Sequence, residues 1–165
     1  MPRNSKAILQ AAVRVPDHAG LVPFRFLRIA GEARTAFANV VIAQAPPAQS
    51  NLSATTLAKI QALITQTPLI LVVITALWRG HAAPELEQHL TTGCVCFAIL
   101  QAAQAYGYGA QWLTSWAAYD PKIAQALNLA DHESVCGFIH IGTPRIPSVE
   151  RPRPDAELLL RDWKP

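Results

Sequence analysis

Charged residues are scarce in this 165-residue chain: Asp, Glu, Lys and Arg make up only 15% of it, whereas 51% is apolar. The net charge is +3, and the basic residues form no block interleaved with aromatics, so we expect no nucleic-acid partner. The longest aliphatic run is too short to span a bilayer and no signal-peptide core is present, which predicts a cytoplasmic protein without a membrane partner. A chain this apolar and of this length can bury one sizeable hydrophobic core. Its low charge content also favours an additional interface with another subunit.

Cysteines are also few, and their number is odd. Cys94, Cys96 and Cys136 all have apolar neighbours, which is typical of reduced thiols in a core. The Cys-x-Cys spacing of the first two can bind a metal, but no second pair accompanies it, so we expect buried thiols and no metal site.

Several common catalytic motifs are missing. The sequence has no Gly-x-Ser-x-Gly, no P-loop and no His-Glu-x-x-His. Gly107-Tyr-Gly109 is half of a dinucleotide fingerprint, but it follows a predicted helix rather than a strand, which argues against a Rossmann fold. No arrangement for nucleophilic catalysis therefore stands out.

The apolar pattern predicts alternating helices and strands. The predicted helices cover residues 5–15, 32–43, 53–66, 84–106 and 120–127, and the predicted strands cover 25–30, 69–77, 108–115 and 134–141. Residues 69–77 are apolar throughout, as in a strand covered on both faces. From Cys94 to Ala105 the longest helix is apolar on nearly every side, so we expect it to be central and shared with a partner subunit. One sheet between helices follows, in an α+β or α/β sandwich.

Local signals set the predicted ends of these elements. Ser5, Ser53 and Asp120 are expected N-caps, and Gly107 is the expected residue just beyond the longest helix. The segment 45–51, rich in Pro, Ala and Gln, is predicted to be a flexible loop.

No repeat or internal boundary divides the chain, which predicts a single domain over residues 1–165. From 143 to 165, four prolines predict an extended arm with a helical turn near 157–161. We expect this arm to wrap a partner subunit.

Arg14-Val-Pro-Asp-His18 is the segment best suited to hold a ligand. Proline fixes its own backbone and restricts the residue before it, so a cation and an imidazole lie in a stiff loop. Such a loop can hold an anionic or aromatic molecule, although Arg14 is also explained as a cation at a helix C-terminus. Trp112 fits a core aromatic and a ligand-binding wall equally well.

An ordered set of motifs resembles the nitroreductase family, the FMN-dependent NAD(P)H oxidoreductases, and especially its short bacterial branch. The matching segments, in chain order, are Leu9–Ala12 with Arg14-x-Pro-Asp-His18, Pro23-Phe-Arg-Phe26 with Gly31-Glu-Ala-Arg34, residues 68–73, Glu87-Gln88 before Gly93-Cys94, Ala102-Ala103-x-Ala105-x-Gly107-Tyr108-Gly109-Ala110-x-Trp112, and Gly137-Phe-x-x-x-Gly142-Thr-Pro144. Each motif is weak alone, but the ordered set is specific and covers nearly the whole chain.

The resemblance implies a three-layer α+β sandwich with a central, mainly antiparallel sheet, and a homodimer with FMN in two interface clefts. It implies hydride transfer from NAD(P)H through the flavin to nitroaromatics, quinones or similar acceptors, with the flavin carrying the chemistry. The implied cofactor-binding residues are Arg14, His18, Trp112, Leu113, Thr114 and, as a substitute cation, Arg145. The implied nicotinamide-binding residues are Ala102, Ala103, Gln104, Ala105, Tyr106 and Gly107.

Two departures from the family pattern keep other interpretations open. Family members carry an earlier helix with Arg-Arg-Ser that holds the FMN phosphate, and this sequence begins after that point. Leu113 stands where the close branch usually has Arg. The alternatives are a degenerate member that binds flavin or acts as a dimeric binding protein with little turnover, a longer native chain with full activity, and an unrelated helical scaffold.

Overall fold

Two helical layers enclose a four-stranded sheet in the computed structural model, which describes residues 4–45, 54–146 and 149–164. The helices are α1 (Ser5–Ala12), α2 (Ala33–Ala43), α3 (Ala54–Gln66), α4 (Glu85–Ala105), α5 (Pro121–Ala126) and α6 (Ala156–Leu159). The strands are β1 (Phe24–Ala30), β2 (Leu69–Ala76), β3 (Gly109–Leu113) and β4 (Glu133–Gly142). The predicted α+β sandwich is confirmed.

The sheet has the order β1-β2-β4-β3, and all three strand pairs are antiparallel. The inner strand β2 is buried along almost its whole length, as its apolar sequence predicts. Successive side chains of a strand point to opposite faces. Leu71 and Val73 therefore join the core on one face, while Val72 and Ile74 join the core on the other.

Each face of the sheet is covered by its own set of helices. On one face, Ile8 of α1 and Ile99 of α4 pack with the sheet in a single apolar cluster. On the other face, α2, α3 and α5 contribute Ala38, Ile64 and Ile123. The candidate site residues are positioned by this three-layer arrangement, because they lie at strand ends and in the loops between layers.

Helix α4 is covered on only one side within a single chain. Its residues toward the sheet, such as Val95, are buried, whereas Leu86, Leu90 and Phe97 are 69%, 60% and 57% exposed. Within one chain this helix therefore leaves an apolar face open, and the expectation that a partner subunit shares it stays a prediction. No helix among the described residues is both long and apolar enough to cross a membrane.

Several element ends differ from the predicted ones. Helix α1 stops at Ala12 instead of residue 15, because Pro16 has no N–H to continue the helix and disfavours helical geometry at Val15. Asn4 rather than Ser5 is the N-cap, without a side-chain cap bond. Strand β3 ends at Leu113, and Ser115, with φ of 54°, starts a short 3₁₀ turn over Trp116–Ala118. The predicted cap at Ser53 and most of the predicted loop 45–51 lie outside the described residues.

Two predicted helix ends agree with the structure. The Asp120 carboxylate accepts hydrogen bonds from the backbone N–H groups of Lys122 (2.8 Å) and Ile123 (3.0 Å) at the start of α5. Gly107, beyond α4, has φ of 77°, a left-handed conformation that glycine adopts at little cost.

The start of α4 differs from the prediction by one residue. Pro84 precedes α4 as its N-cap residue instead of lying inside the helix.

The described residues of segment 143–164 are all exposed. The predicted helical turn near 157–161 is present as α6, slightly earlier in the chain, where the Asp155 carboxylate accepts a bond from Glu157 N–H. This segment therefore presents its apolar side chains to solvent within one chain.

Candidate functional site

The segment 14–18 is held in place by hydrogen bonds to its neighbours. The Thr91 hydroxyl on α4 donates to the Pro16 carbonyl (3.0 Å), and an Asp17 carboxylate oxygen accepts from Val22 N–H (2.7 Å). His18 begins a 3₁₀ turn whose next residue, Ala19, has φ of 60°. The loop is therefore fixed by contacts as well as by proline.

His18 is paired with a residue that the sequence did not identify as part of the site. Its Nδ1 lies 2.5 Å from Oε2 of Glu87, in the first turn of α4. Glu87 belongs to a family motif in the sequence, but the sequence predicts no role for it in the site. A carboxylate on Nδ1 orients the ring and leaves Nε2 to face a ligand.

The pair lies beside a shallow depression of 230 Å³, which is lined by Pro16, Asp17, His18, Glu87, Leu90, Thr91 and Cys94. Arg14 is exposed nearby in the chain, and its guanidinium forms no hydrogen bond or ion pair with any residue that the structure describes. This segment thus offers an exposed cation, unpaired among the described residues, four residues before an oriented imidazole.

Trp112, Leu113 and Thr114 line a different cavity, of 430 Å³, between α2, α3 and the sheet edge at β3. The Trp112 indole donates from Nε1 to the Cys136 carbonyl (3.2 Å) and is 37% exposed. The Trp112 side chain is therefore only partly covered within one chain, and its role as a ligand-binding wall stays a prediction.

His140 lines the same cavity from β4, and its Nδ1 lies 3.3 Å from the Thr67 hydroxyl oxygen. Burial lowers the pKa of His140 from its ordinary value, because the charged imidazolium is poorly solvated there. Burial therefore favours the neutral form of the ring. Its contact with Thr67 fits a structural role.

The predicted nicotinamide-binding segment is partly buried and partly exposed in the last turn of α4 and just beyond it. Ala102 and Ala103 pack in the core, whereas Gln104, Ala105, Tyr106 and Gly107 are exposed. Arg145 is also exposed, three residues beyond β4.

These predicted site residues do not converge on one cavity of a single chain. His18 lies by the depression under the start of α4, while the segment 112–114 lies in the cavity at the edge of the sheet. Both groups are accessible to solvent, and they line separate cavities of one chain.

The sequence model of the Nitroreductase family matches residues 4–143. The chain belongs to the nitroreductase family. Among its relatives is an Escherichia coli K12 protein with the provisional name NAD(P)H nitroreductase YdjA, which is 32% identical over 139 residues, covering 84% of this chain and 75% of the relative. A Haemophilus influenzae relative with a similar provisional name is 26% identical over 137 residues, covering 82% and 73%.

Solved nitroreductase structures share the fold. A nitroreductase-like protein from Bacillus cereus superposes with a TM-score of 0.82 at 18% identity, covering 94% of this chain and 81% of the other. A protein provisionally named a nitroreductase, from Desulfovibrio desulfuricans and solved with FMN, gives a TM-score of 0.73 at 24% identity, covering 97% and 84%. The family assignment made from the ordered motifs is confirmed, as is the class of nitroreductase-type oxidoreductase.

Proposed function

We propose that this nitroreductase-family chain binds FMN and passes hydride equivalents from NAD(P)H to nitroaromatics, quinones or similar flat, electron-poor acceptors. The observation that carries the proposal is the Arg14 guanidinium, which has no partner among the described residues and lies four residues before the oriented His18. The FMN bound by the Desulfovibrio desulfuricans protein adds support from the same fold.

The donors and walls of this chain fit such a cofactor chemically. Arg14 can make charge-assisted hydrogen bonds to a phosphate or to the polar edge of a ring. His18 offers a second donor, positioned by Glu87. The part-exposed Trp112 indole offers a flat apolar surface against which a ring can pack.

When bound, the flavin supplies a centre that accepts and donates a hydride. The residues of this chain hold and orient the two rings in turn and exclude water from between them. No side chain of the chain is required to act as an acid or base.

We further propose that two copies of the chain complete each site. The segments 14–18 and 112–114 lie in different cavities of one chain, so a single ligand reaches both only when a second copy brings its own segment alongside. The exposed apolar face of α4, formed by Leu86, Leu90 and Phe97, is the surface that the second copy covers. The exposed arm from residue 143 onward adds Leu158 and Trp163 to that interaction.

The visible spectrum tests the cofactor directly. Purified protein supplied with FMN is expected to retain flavin absorbance after desalting and to lose it on addition of NADH or NADPH. Protein that stays colourless even with excess FMN contradicts the proposal. Flavin that is retained but not reduced by either nucleotide supports the degenerate binding protein instead.

Replacing Arg14 with alanine is expected to weaken FMN binding about tenfold or more, since one charge-assisted hydrogen bond contributes about 1.5–3 kcal/mol. Quenching of flavin fluorescence gives the affinity. Lys122→Ala, at an exposed cation on α5, is the matched control. Riboflavin, which has no phosphate, shows which part of the cofactor Arg14 contacts. If Arg14→Ala weakens FMN binding but binds riboflavin as tightly as wild type does, the contact is to the phosphate. Arg14 has no cofactor role if FMN and riboflavin both bind the variant as tightly as wild type.

Replacing Phe97 with aspartate is expected to convert a dimer to a monomer and to reduce FMN binding with it. A charge at the centre of an apolar interface has no partner and is costly to bury. Sedimentation velocity measures the assembly state, and Tyr119→Asp, at another exposed aromatic, is the control. A wild-type monomer that binds FMN fully would refute the two-chain site.

A further inference from the structure

Two of the three cysteines lie side by side, although 40 residues separate them in the chain. The Sγ atoms of Cys96 on α4 and Cys136 on β4 are 3.6 Å apart. Cys96 is fully buried, whereas Cys136 is half-buried and lines a 510 Å³ cavity at the end of β4 that β3 does not cover. One thiol of the pair is therefore reachable from solvent, and the other lies directly behind it.

The surroundings of the two thiols differ in a way that separates their roles. The Cys96 thiol donates to the Cys136 sulfur, which lowers the pKa of Cys136; the Thr75 side chain lowers it further, and burial acts in the opposite direction. Donation to Cys136, together with burial, raises the pKa of Cys96. The thiolate is the nucleophilic form of cysteine. The greater exposure of Cys136 and the direction of these shifts both favour first attack at the sulfur on the cavity side.

We propose that Cys136 and Cys96 form a peroxide-oxidised dithiol site, in which Cys136 is attacked first and Cys96 resolves it to a disulfide. The proposal is independent of FMN binding. The two sulfur atoms must approach by about 1.5 Å to reach a bond length of about 2.05 Å, a shift within reach of side-chain rotation.

The chemistry balances with hydrogen peroxide as the oxidant. The Cys136 thiolate attacks one peroxide oxygen: the S–O bond forms, the O–O bond breaks, and hydroxide leaves and takes up the proton that the Cys136 thiol released, giving the first water. The Cys96 sulfur then attacks the sulfenic acid: the S–S bond forms, the S–O bond breaks, and water leaves with the Cys96 proton. Two thiols lose two electrons in total, and the peroxide is reduced to two waters.

Cys94 provides an internal comparison. It lies two residues before Cys96 on α4 but is exposed, because residues at that spacing do not share a helix face. It has no sulfur neighbour within the described part of the chain. It should therefore keep its thiol under conditions that join the other two.

The experiment treats reduced protein with a modest excess of hydrogen peroxide and then denatures it for thiol titration and mass spectrometry. We expect the free thiols to fall from three to one, the mass to fall by two hydrogens, and a Cys96–Cys136 cross-linked peptide to appear and vanish with dithiothreitol. Cys94→Ser should behave like wild type in forming the cross-link. In Cys96→Ser, a sulfenic acid at Cys136 should be trapped by dimedone.

Wild-type protein that retains three thiols, or that cross-links mainly through Cys94, overturns the proposal. The peptide map of the wild-type chain decides the question even if a serine variant fails to fold. Dimedone labelling of Cys96 in Cys136→Ser at the rate seen for Cys136 would overturn the assignment of the first attack.

Discussion

Replacing Gly137 with alanine should destabilise the fold by about 2–4 kcal/mol, through overpacking and a lost hydrogen bond. A Cβ at this position would lie 2.0 Å from Nε1 and 2.4 Å from Cδ1 of Trp112. The Trp112 indole would have to move away from Gly137 on β4, and its hydrogen bond to the Cys136 carbonyl would break. Because Trp112 is a proposed flavin-binding wall, the same change should weaken FMN binding.

Urea unfolding measures the effect, and a double-mutant cycle assigns its cause. In a Trp112→Ala background, Gly137→Ala should cost much less, because the clashing ring is gone. Gly109→Ala is the matched control on the neighbouring strand β3, where the nearest atom to an added Cβ is at an ordinary 3.5 Å. Equal costs in both backgrounds would show that the clash with Trp112 is not the cause.

Replacing Glu133 with glutamine should cost about 2 kcal/mol of unfolding free energy at neutral pH. The Glu133 carboxylate accepts from Arg25 Nε (2.5 Å) and Nη2 (2.7 Å) and from Ala130 N–H (2.9 Å), and its side chain is almost fully buried. The Arg25 hydrogen bonds lower the pKa of Glu133 from 4.5 to about 2. That difference corresponds to about 3 kcal/mol, which solvent screening at the part-exposed Arg25 reduces to about 2 kcal/mol.

The sign of the pH dependence follows from this depressed pKa. A carboxyl group that is more acidic in the folded state stabilises the fold above its unfolded pKa, and that stabilisation is lost as the pH falls. Wild-type stability should therefore decline from about pH 4.5 down to about pH 2 more steeply than that of Glu133→Gln. Chemical denaturation at several pH values measures it, with Glu150→Gln as the control at an exposed pair 3.6 Å from Arg153. Parallel pH profiles for wild type and Glu133→Gln would contradict the assignment.

Features that depend on neighbouring residues were predictable from the sequence. The continuous apolar run of β2 indicated a strand covered on both faces, and the structure covers it on both. Asp120 and Gly107 act at helix ends through contacts or dihedral angles within a few residues of themselves. The ordered motifs likewise identified the family, because each motif is a short run of local sequence.

Features that join distant segments were not predictable. The pairs His18–Glu87, Arg25–Glu133 and Cys96–Cys136 are separated by 69, 108 and 40 residues. The sequence around one member of each pair does not indicate the other member. The strand register and the packing of α4 on the sheet decide which side chains meet. For this reason the sequence predicts no role for Glu87 in the site and predicts that the cysteines are ordinary core thiols.

The sequence by itself determined the family and, through that resemblance, the α+β class, because the ordered motifs are short local runs. It also determined the stiff loop that carries Arg14 and His18, because proline restricts only its own backbone and the residue before it. The tertiary structure alone decided that this loop and the Trp112 segment lie in separate cavities of one chain. It also decided that α4 leaves an apolar face uncovered and that a buried thiol lies behind a reachable one. These outcomes depend on how the layers pack, because packing brings together residues that the chain keeps far apart.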